Sequence, residues 1–241
     1  MRIVEPSWAI EDATPEAIER IERVARTCYR SEGRAGPGTA TKLVRMLRRR
    51  RHFPMFDHVY ASVRIVCSRA ISHEIVRHRI GVGYAQESQR FVGYANEDKH
   101  PDGVAFVLPM FFREGPRYLR WKRAMESAEE SYMGFIADGA SPQEAREVLP
   151  NSTRTEIVIT GTFTFWRHFF ELRTADAAHP EMRRIIKPLL AEFIERWPEA
   201  FDDIGKPSLL ERGALLIAMI MGYVPESKLR DDLEAWLDEA A

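Results

Sequence analysis

The densest group of residues that could do chemistry lies in the stretch SHEIVRHRIGVGYAQESQRF, residues 72–91. His73 and His78 come close to the pattern of a zinc-binding helix, in which two histidines stand four residues apart and share one helical face. Here the spacing is five, which turns the second imidazole away from the first by roughly 140°. A regular helix therefore cannot direct both imidazoles at one metal, and we predict no metal site.

The glycines of the same stretch come close to a second motif, the Gly-x-Gly-x-x-Gly fingerprint of dinucleotide-binding loops. Gln86 stands where the third glycine belongs, and the pair Gly81 and Gly83 follows a predicted helix, whereas the fingerprint must follow a strand. What remains is the basic triplet 77–79 and a polar segment, 86–90. Most charge clusters are simply solvated, but this density of hydrogen-bonding groups favours an anionic ligand.

A strand and a helix must position these residues. Residues 59–67 alternate between apolar and polar side chains, which predicts a strand with one buried face. Ser68 then caps a helix that is expected to run to about His78. On that helix, Glu74 lies three and four residues before Arg77 and His78, so we expect it to contact both cations. Ser88 and Arg90 would point the same way if their segment is extended.

The rest of the chain reads as mostly helical. Predicted helices cover 14–29 with Thr14 as N-cap, 40–50, 117–138, 142–149 behind a Ser141 capping box, 163–173, a segment from Pro180 that Pro188 must kink or interrupt, and two helices in 208–241. Further strands are expected at 104–108 and 156–160. This pattern predicts an α+β fold with mixed helices around a small, mainly antiparallel sheet.

Composition excludes several classes of protein. The 241 residues contain 35 Lys and Arg against 36 Asp and Glu, a net charge of −1 that creates no general field for nucleic acid or membranes. Cys28 and Cys67 form no disulfide framework, which is typical of a reduced, cytoplasmic protein. The longest apolar run, 214–221, is far shorter than the roughly 20 residues that span a bilayer. We therefore predict a soluble cytoplasmic protein with a local basic site and no nucleic-acid or membrane partner.

The arrangement of Arg77, His78 and Arg79, eight residues and then Ser88 resembles the signature of the flavin-dependent thymidylate synthases. Four further segments resemble that family in the same order: RTCYRSEG at 26–33, HFPMFDH at 52–58, SPQEAREVLP at 141–150 and FTFWRHFFELRTADAAHPEM at 163–182. The likeness covers roughly residues 1–200. It implies a thymidylate synthase-complementing protein fold for residues 1–206, with residues 207–241 as a C-terminal helical extension.

The resemblance implies methylation of dUMP to dTMP. In this family 5,10-methylenetetrahydrofolate donates the carbon, NADPH supplies the reducing equivalents and FAD relays the hydride, in a homotetramer whose subunits share active sites. Three anionic ligands at one site would account for many arginines in a neutral protein.

Site residues are likewise implied by the resemblance. The dUMP-binding positions correspond to Glu74, Arg77, Gln86, Glu87, Ser88, Gln89, Arg90, Arg146 and Arg173. Of these, Arg173 is the expected catalytic residue, because its guanidinium would favour ionisation of the uracil N3. The FAD-binding positions correspond to Asp57, Arg77, His78, Arg79, Gln86, Thr162, Thr164, His168 and His179.

Two departures from the family keep other functions open. Thr162 and Thr164 replace an asparagine and an arginine that relatives often carry before the aromatic helix, which points to altered FAD binding. A catalytically weak nucleotide- or RNA-binding relative and a metal-dependent hydrolase are the alternatives. Ser88 lacks an evident adjacent base, and neither Cys28 nor Cys67 is expected to act as a nucleophile.

Overall fold

The computed structural model describes residues 1–96 and 103–206, which form both strands and helices. In chain order the elements are β1 (Arg2–Val4), β2 (Ser7–Ala13), α1 (Ala17–Thr27), α2 (Thr39–Arg49), β3 (Tyr60–Ser68), α3 (Arg69–Ile75), β4 (Val82–Gln86), β5 (Ala105–Val107), α4 (Gly115–Ala137), α5 (Pro142–Ala145), β6 (Arg154–Thr162), α6 (Phe163–Arg173), α7 (Pro180–Arg196) and α8 (Pro198–Phe201). The α+β prediction is confirmed.

The main sheet has four strands in the order β2-β3-β6-β4, and every neighbouring pair is antiparallel. β1 and β5 form a separate parallel pair. The alternation predicted for residues 59–67 is confirmed, because the odd-numbered side chains are all buried and include Val63 and Ile65 at 0% exposure. One face of the sheet therefore joins the core, as a period of two requires.

The core lies between this face of the sheet and the helices that follow it. α6 begins directly where β6 ends, and Thr162 is both the last strand residue and the N-cap, accepting a hydrogen bond from the Phe165 N–H. Trp166 is fully buried and donates from its indole N–H to the Ala61 carbonyl at 3.0 Å. This bond and the aromatic packing around it fix the direction of α6, and hence of its last residue, Arg173.

Two predictions about element boundaries are wrong, and one alternative of a third is excluded. The first helix begins at Ala17, because Thr14 is tied to the sheet: its hydroxyl accepts a hydrogen bond from the Tyr60 N–H at 2.9 Å. α3 ends at Ile75 and does not reach His78. α7 spans Pro180–Arg196, so Pro188 does not interrupt the helix, and the predicted alternative of a kink stays a prediction.

The chain divides into the compact units Met1–Ile204 and Gly205–Ala241. The two helices expected in 208–241 lie outside the described residues. Within residues 1–96 and 103–206, no helix has both the length and the apolar character needed to cross a membrane.

Candidate active site

Arg173, the last residue of α6, is held against the C-terminal end of α3 by three hydrogen bonds. Its Nε donates to Nε2 of His78 at 2.9 Å, its Nη1 to Oε2 of Glu74 at 3.1 Å, and its Nη2 to the main-chain oxygen of Glu74 at 2.9 Å. These bonds fix the plane of the guanidinium and leave other N–H groups of the same fork for a ligand. The structure thus brings together three of the residues expected at the site.

His78 accepts from Arg173 and is itself buried. Loss of hydration, together with the charges of Arg173 and His168, lowers the pKa of His78 to about 4. The imidazole is therefore neutral at pH 7, and because its Nε2 accepts a hydrogen bond, Nδ1 carries the proton. The Phe169 ring packs edge-on against it at 4.9 Å, and the exposed His168 ring lies 5.7 Å away.

Tyr84, which the sequence did not single out, holds the turn that carries His78. Its hydroxyl lies 2.7 Å from the main-chain oxygen of His78 and 3.1 Å from that of Ile75. Burial raises the pKa of Tyr84 to about 12, so the hydroxyl keeps its proton and remains a donor. Gly81 permits the next turn with φ of 70°, where a Cβ would come within 2.9 Å of the Thr162 hydroxyl.

The early end of α3 overturns the contacts expected for Glu74. The helical spacing to Arg77 and His78 no longer applies beyond Ile75, and the Glu74 carboxylate pairs with Arg173. Arg77 and Arg79 are exposed on either side of buried His78. The triplet 77–79 therefore presents two guanidinium groups to solvent and directs one imidazole inward.

The basic edge of the site suits the flavin nucleotide that the resemblance implies. The guanidinium groups of Arg77 and Arg79 and the His168 ring are open to solvent and match an anionic pyrophosphate beside a planar ring. Thr162 and Thr164 have less capacity to donate hydrogen bonds to a flavin, because both hydroxyl groups already donate to acceptors within the chain. Thr162 donates to Asp57 at 3.0 Å, and Thr164 donates to the Phe53 carbonyl at 3.2 Å.

His179 lies apart from these contacts, at the N-terminus of α7. Its Nδ1 accepts from the Glu181 N–H at 3.2 Å, and its ring packs edge-on against Phe111 at 5.8 Å. The ring is exposed. Within the described part of the chain, neither of these contacts joins His179 to Arg173 or His78, so its role as an FAD contact stays a prediction.

The segment 86–90 leaves the sheet at the end of β4 and forms a turn, not the extended segment considered from sequence. Gln86 donates from its amide to the hydroxyls of Ser72 at 2.9 Å and Thr155 at 3.2 Å. The Ser88 hydroxyl accepts from the Arg90 N–H at 3.3 Å, and the Gln89 amide is 3.5 Å from the Tyr94 hydroxyl. No base adjoins the Ser88 hydroxyl among these contacts, which favours a binding role over a nucleophilic one.

Arg90 connects this segment to the capping-box helix α5. Its Nε donates to the Gln143 side-chain oxygen at 3.1 Å, and its guanidinium stacks over Phe91 at 5.1 Å. Arg146 lies just beyond the end of α5, and its Nε is 3.8 Å from Oε1 of Glu147. The joint contribution of Arg90 and Arg146 to a phosphate site therefore stays a prediction.

α3 joins the two groups of residues. Gln86 contacts Ser72 in the middle of this helix, and Arg173 contacts Glu74 near its end. Glu74 follows Ser72 by two residues, a distance of about 3 Å along the axis. The guanidinium of Arg173 and the 86–90 segment are therefore two parts of one local structure.

The cysteines and the histidines supply no alternative chemistry. Burial raises the pKa of Cys67 to about 12, which keeps its thiol protonated and unreactive. Cys28 is exposed at the end of α1. Within residues 1–96 and 103–206, no three His, Cys, Asp or Glu side chains are grouped so as to hold a metal ion.

Comparisons with known proteins identify the family. The profile of the family described as thymidylate synthase complementing protein matches residues 9–199. The flavin-dependent thymidylate synthase of Corynebacterium aurimucosum is 32% identical over 223 residues, 85% of this chain and 86% of that protein. The flavin-dependent thymidylate synthase of Mycolicibacterium gilvum is 33% identical over 211 residues, 79% of this chain and 81% of that protein.

Solved structures show the same fold. The UMP/dUMP methylase PolB from Streptomyces cacaoi, bound with 5-Br dUMP, gives a TM-score of 0.71 and covers 84% of this chain and 96% of its own. Its sequence identity is 20%, so this likeness concerns the fold alone.

Proposed function

This chain belongs to the family of thymidylate synthase complementing proteins, the flavin-dependent thymidylate synthases, and from that premise we propose that it methylates dUMP to dTMP. The carbon comes from 5,10-methylenetetrahydrofolate, which leaves as tetrahydrofolate, and the reductant is NADPH. FAD, when bound, relays the hydride. The relatives' names support the flavin and the thymidylate product, whereas the folate donor and NADPH rest on the family resemblance.

The observation that carries the proposal is the fixed guanidinium of Arg173. A cation held by His78 and Glu74 needs no reorganisation when negative charge develops on a bound uracil ring, which is the condition for electrostatic stabilisation of a transition state. Neutral His78 contributes by accepting from Arg173 without adding a competing positive charge. Arg173 is therefore assigned the catalytic role.

The phosphate of dUMP is assigned to the 86–90 segment and α5. Arg90 and Arg146 supply the positive charge and Ser88 supplies a hydroxyl, with Gln86 fixing the base of the segment on Ser72 and Thr155. FAD is assigned to the basic edge formed by Arg77, Arg79 and His168. Asp57, Thr162, Thr164 and His179 retain their assignment as flavin contacts by family position.

Assembly and location complete the proposal. We assign a cytoplasmic homotetramer with shared active sites and no nucleic-acid or membrane partner, and residues 207–241 are assigned as a helical extension. The exposed positions of Arg77 and Arg79 support a site that is completed by other groups.

A single preparation tests the function. The purified protein is expected to bind FAD and to oxidise NADPH only when dUMP and methylenetetrahydrofolate are present, with dTMP identified by mass. Protein that binds dUMP but forms no dTMP under these conditions would support the catalytically weak relative. Zinc-dependent hydrolysis without flavin would favour the hydrolase.

The residue-level test replaces Arg173. Arg173→Ala is expected to bind FAD normally and to form no dTMP, because the fixed cation is lost. The matched control is Arg196→Ala, which removes an exposed arginine paired only with Glu192 and should leave activity unchanged. Normal turnover by Arg173→Ala would contradict the assignment.

A further inference from the structure

Five charged side chains of alternating sign cross the outer face of the main sheet. Glu11 of β2 pairs with Arg64 of β3, and Arg64 pairs with Glu156 of β6. Glu156 also pairs with Arg154, and Arg154 donates from Nη1 to Oε2 of Glu87 at 2.6 Å. The chain of charges therefore ends at the residue that precedes Ser88.

Glu87 is positioned through its main chain as well. Its N–H donates to the Glu156 carbonyl at 2.9 Å, so the segment leaves β4 in register with β6. Its side chain is 13% exposed and that of Arg154 is 23% exposed. A carboxylate turned onto the sheet and paired with a guanidinium is poorly placed to contact a phosphate directly, and repulsion between two anions opposes such contact.

Gln86 and Glu87 hold the start of the segment from opposite faces of the sheet. Gln86 bonds to Thr155 on the inner face, and Glu87 bonds to Arg154 on the outer face, as neighbouring residues of a strand do. Because both side chains are held, the main chain enters Ser88 from a fixed position. The position of the Ser88 hydroxyl therefore depends on two anchors, the bond of Gln86 to Thr155 and the ion pair of Glu87 with Arg154.

We propose that Arg154 is a positioning residue for substrate binding, acting on Ser88 and Arg90 through its ion pair with Glu87. This inference rests on the proposed dUMP site. Arg154 does two things: it restrains Glu87 so that Ser88 and Arg90 keep their geometry, and it neutralises a carboxylate close to the place where a phosphate binds. This role could not be predicted from the sequence, because Arg154 lies 67 residues from Glu87.

The test measures dUMP affinity by calorimetry on the FAD-loaded full chain, together with steady-state kinetics. Arg154→Met should raise the Kd and KM for dUMP about tenfold while kcat at saturating dUMP stays within about twofold. Arg154→Lys, which keeps the charge, should recover most of the affinity. FAD affinity should be unchanged in both variants.

Arg64→Met is the matched control. It removes another guanidinium from the same face and the same Glu156 carboxylate but leaves the bond between Arg154 and Glu87 in place. Its dUMP affinity should stay within about twofold of the wild type. The double variant Arg154→Met/Glu87→Gln should bind dUMP no more weakly than Arg154→Met alone, since both changes remove one interaction.

The outcomes separate this inference from the proposed function. Wild-type protein that fails to bind dUMP overturns both. Wild-type binding with unchanged affinity in Arg154→Met, or an equal loss in Arg64→Met, overturns only the positioning role. If Arg154→Met does not fold, Arg154→Gln decides, because a loss of dUMP affinity of about tenfold supports the positioning role and an unchanged affinity overturns it.

Discussion

Replacing His78 with glutamine should flatten the pH dependence of folding stability on the acid side of neutrality. The His78 imidazole is buried, accepts from Arg173 and has a pKa lowered from 6.5 to about 4, first by loss of hydration and then by the charges of Arg173 and His168. Between these two values the unfolded chain binds a proton that the folded chain does not. The contribution of His78 to the free energy of unfolding is therefore fully present above about pH 6.5 and decreases as the pH falls toward 4.

The magnitude follows from the two pKa values. Between pH 7 and pH 5 the linkage relation gives a loss of about 2 kcal/mol for a shift of this size. Solvent beside the exposed His168 ring screens part of the charge interaction, so we expect a measured loss of about 1–2 kcal/mol. Glutamine does not titrate in this range, and its side-chain oxygen can still accept from the Arg173 guanidinium.

The assay is urea denaturation of wild-type protein and His78→Gln at pH 5, 6 and 7, with protein concentration held constant because the stability of an oligomer depends on concentration. The other histidines are common to both proteins and cancel in the difference. The wild type should lose about 1–2 kcal/mol more than the variant between pH 7 and pH 5. Equal pH slopes for the two proteins would refute the burial argument, and a proton titration of His78 near 6.5 by NMR would refute it directly.

Three further changes test other parts of the structure. Ser88→Ala should weaken dUMP binding while retaining activity at saturating dUMP, measured by calorimetry and turnover; complete loss of turnover with intact affinity would restore a nucleophilic role. Gly161→Ala should lower the free energy of unfolding measured in urea by about 2–3 kcal/mol, because the new Cβ would stand 2.1 Å from the Phe165 ring. Gly83→Ala is the control: the nearest atom to its new Cβ is 4.0 Å away, so alanine should cost less than about 1 kcal/mol there. Ser141→Ala should cost about 1 kcal/mol by removing the capping box of α5, also measured in urea, and no change would mean that the box does not stabilise the fold.

Local sequence signals predicted the elements whose structure depends on their own residues. The strand at 59–67 and the Ser141 capping box are confirmed because an alternating pattern and a cap each act over a few residues. The α+β class followed from the same signals. The family was predicted from five segments that resemble it and occur in the same order, a signal that no single helix or strand carries.

Elements held by distant partners were missed or misplaced. β4 contains Gly83 and reads as a turn, yet pairing with β6 makes it a strand. α3 ends early where the Tyr84 hydroxyl meets the carbonyl oxygens of Ile75 and His78, a contact that spacing along a helix cannot reveal. The ion pair of Arg154 with Glu87 depends on the strand order, which the sequence left open.

The shortness of α3 has a consequence for how ligands influence one another. This helix of seven residues contacts the 86–90 segment through Ser72 and Arg173 through Glu74. Because the two contacts are two residues apart on one helix, we expect a shift at one of them to be transmitted to the other. A nucleotide that stiffens the 86–90 segment would then also restrain Arg173, and by thermodynamic reciprocity a ligand that restrains Arg173 would tighten nucleotide binding by the same factor.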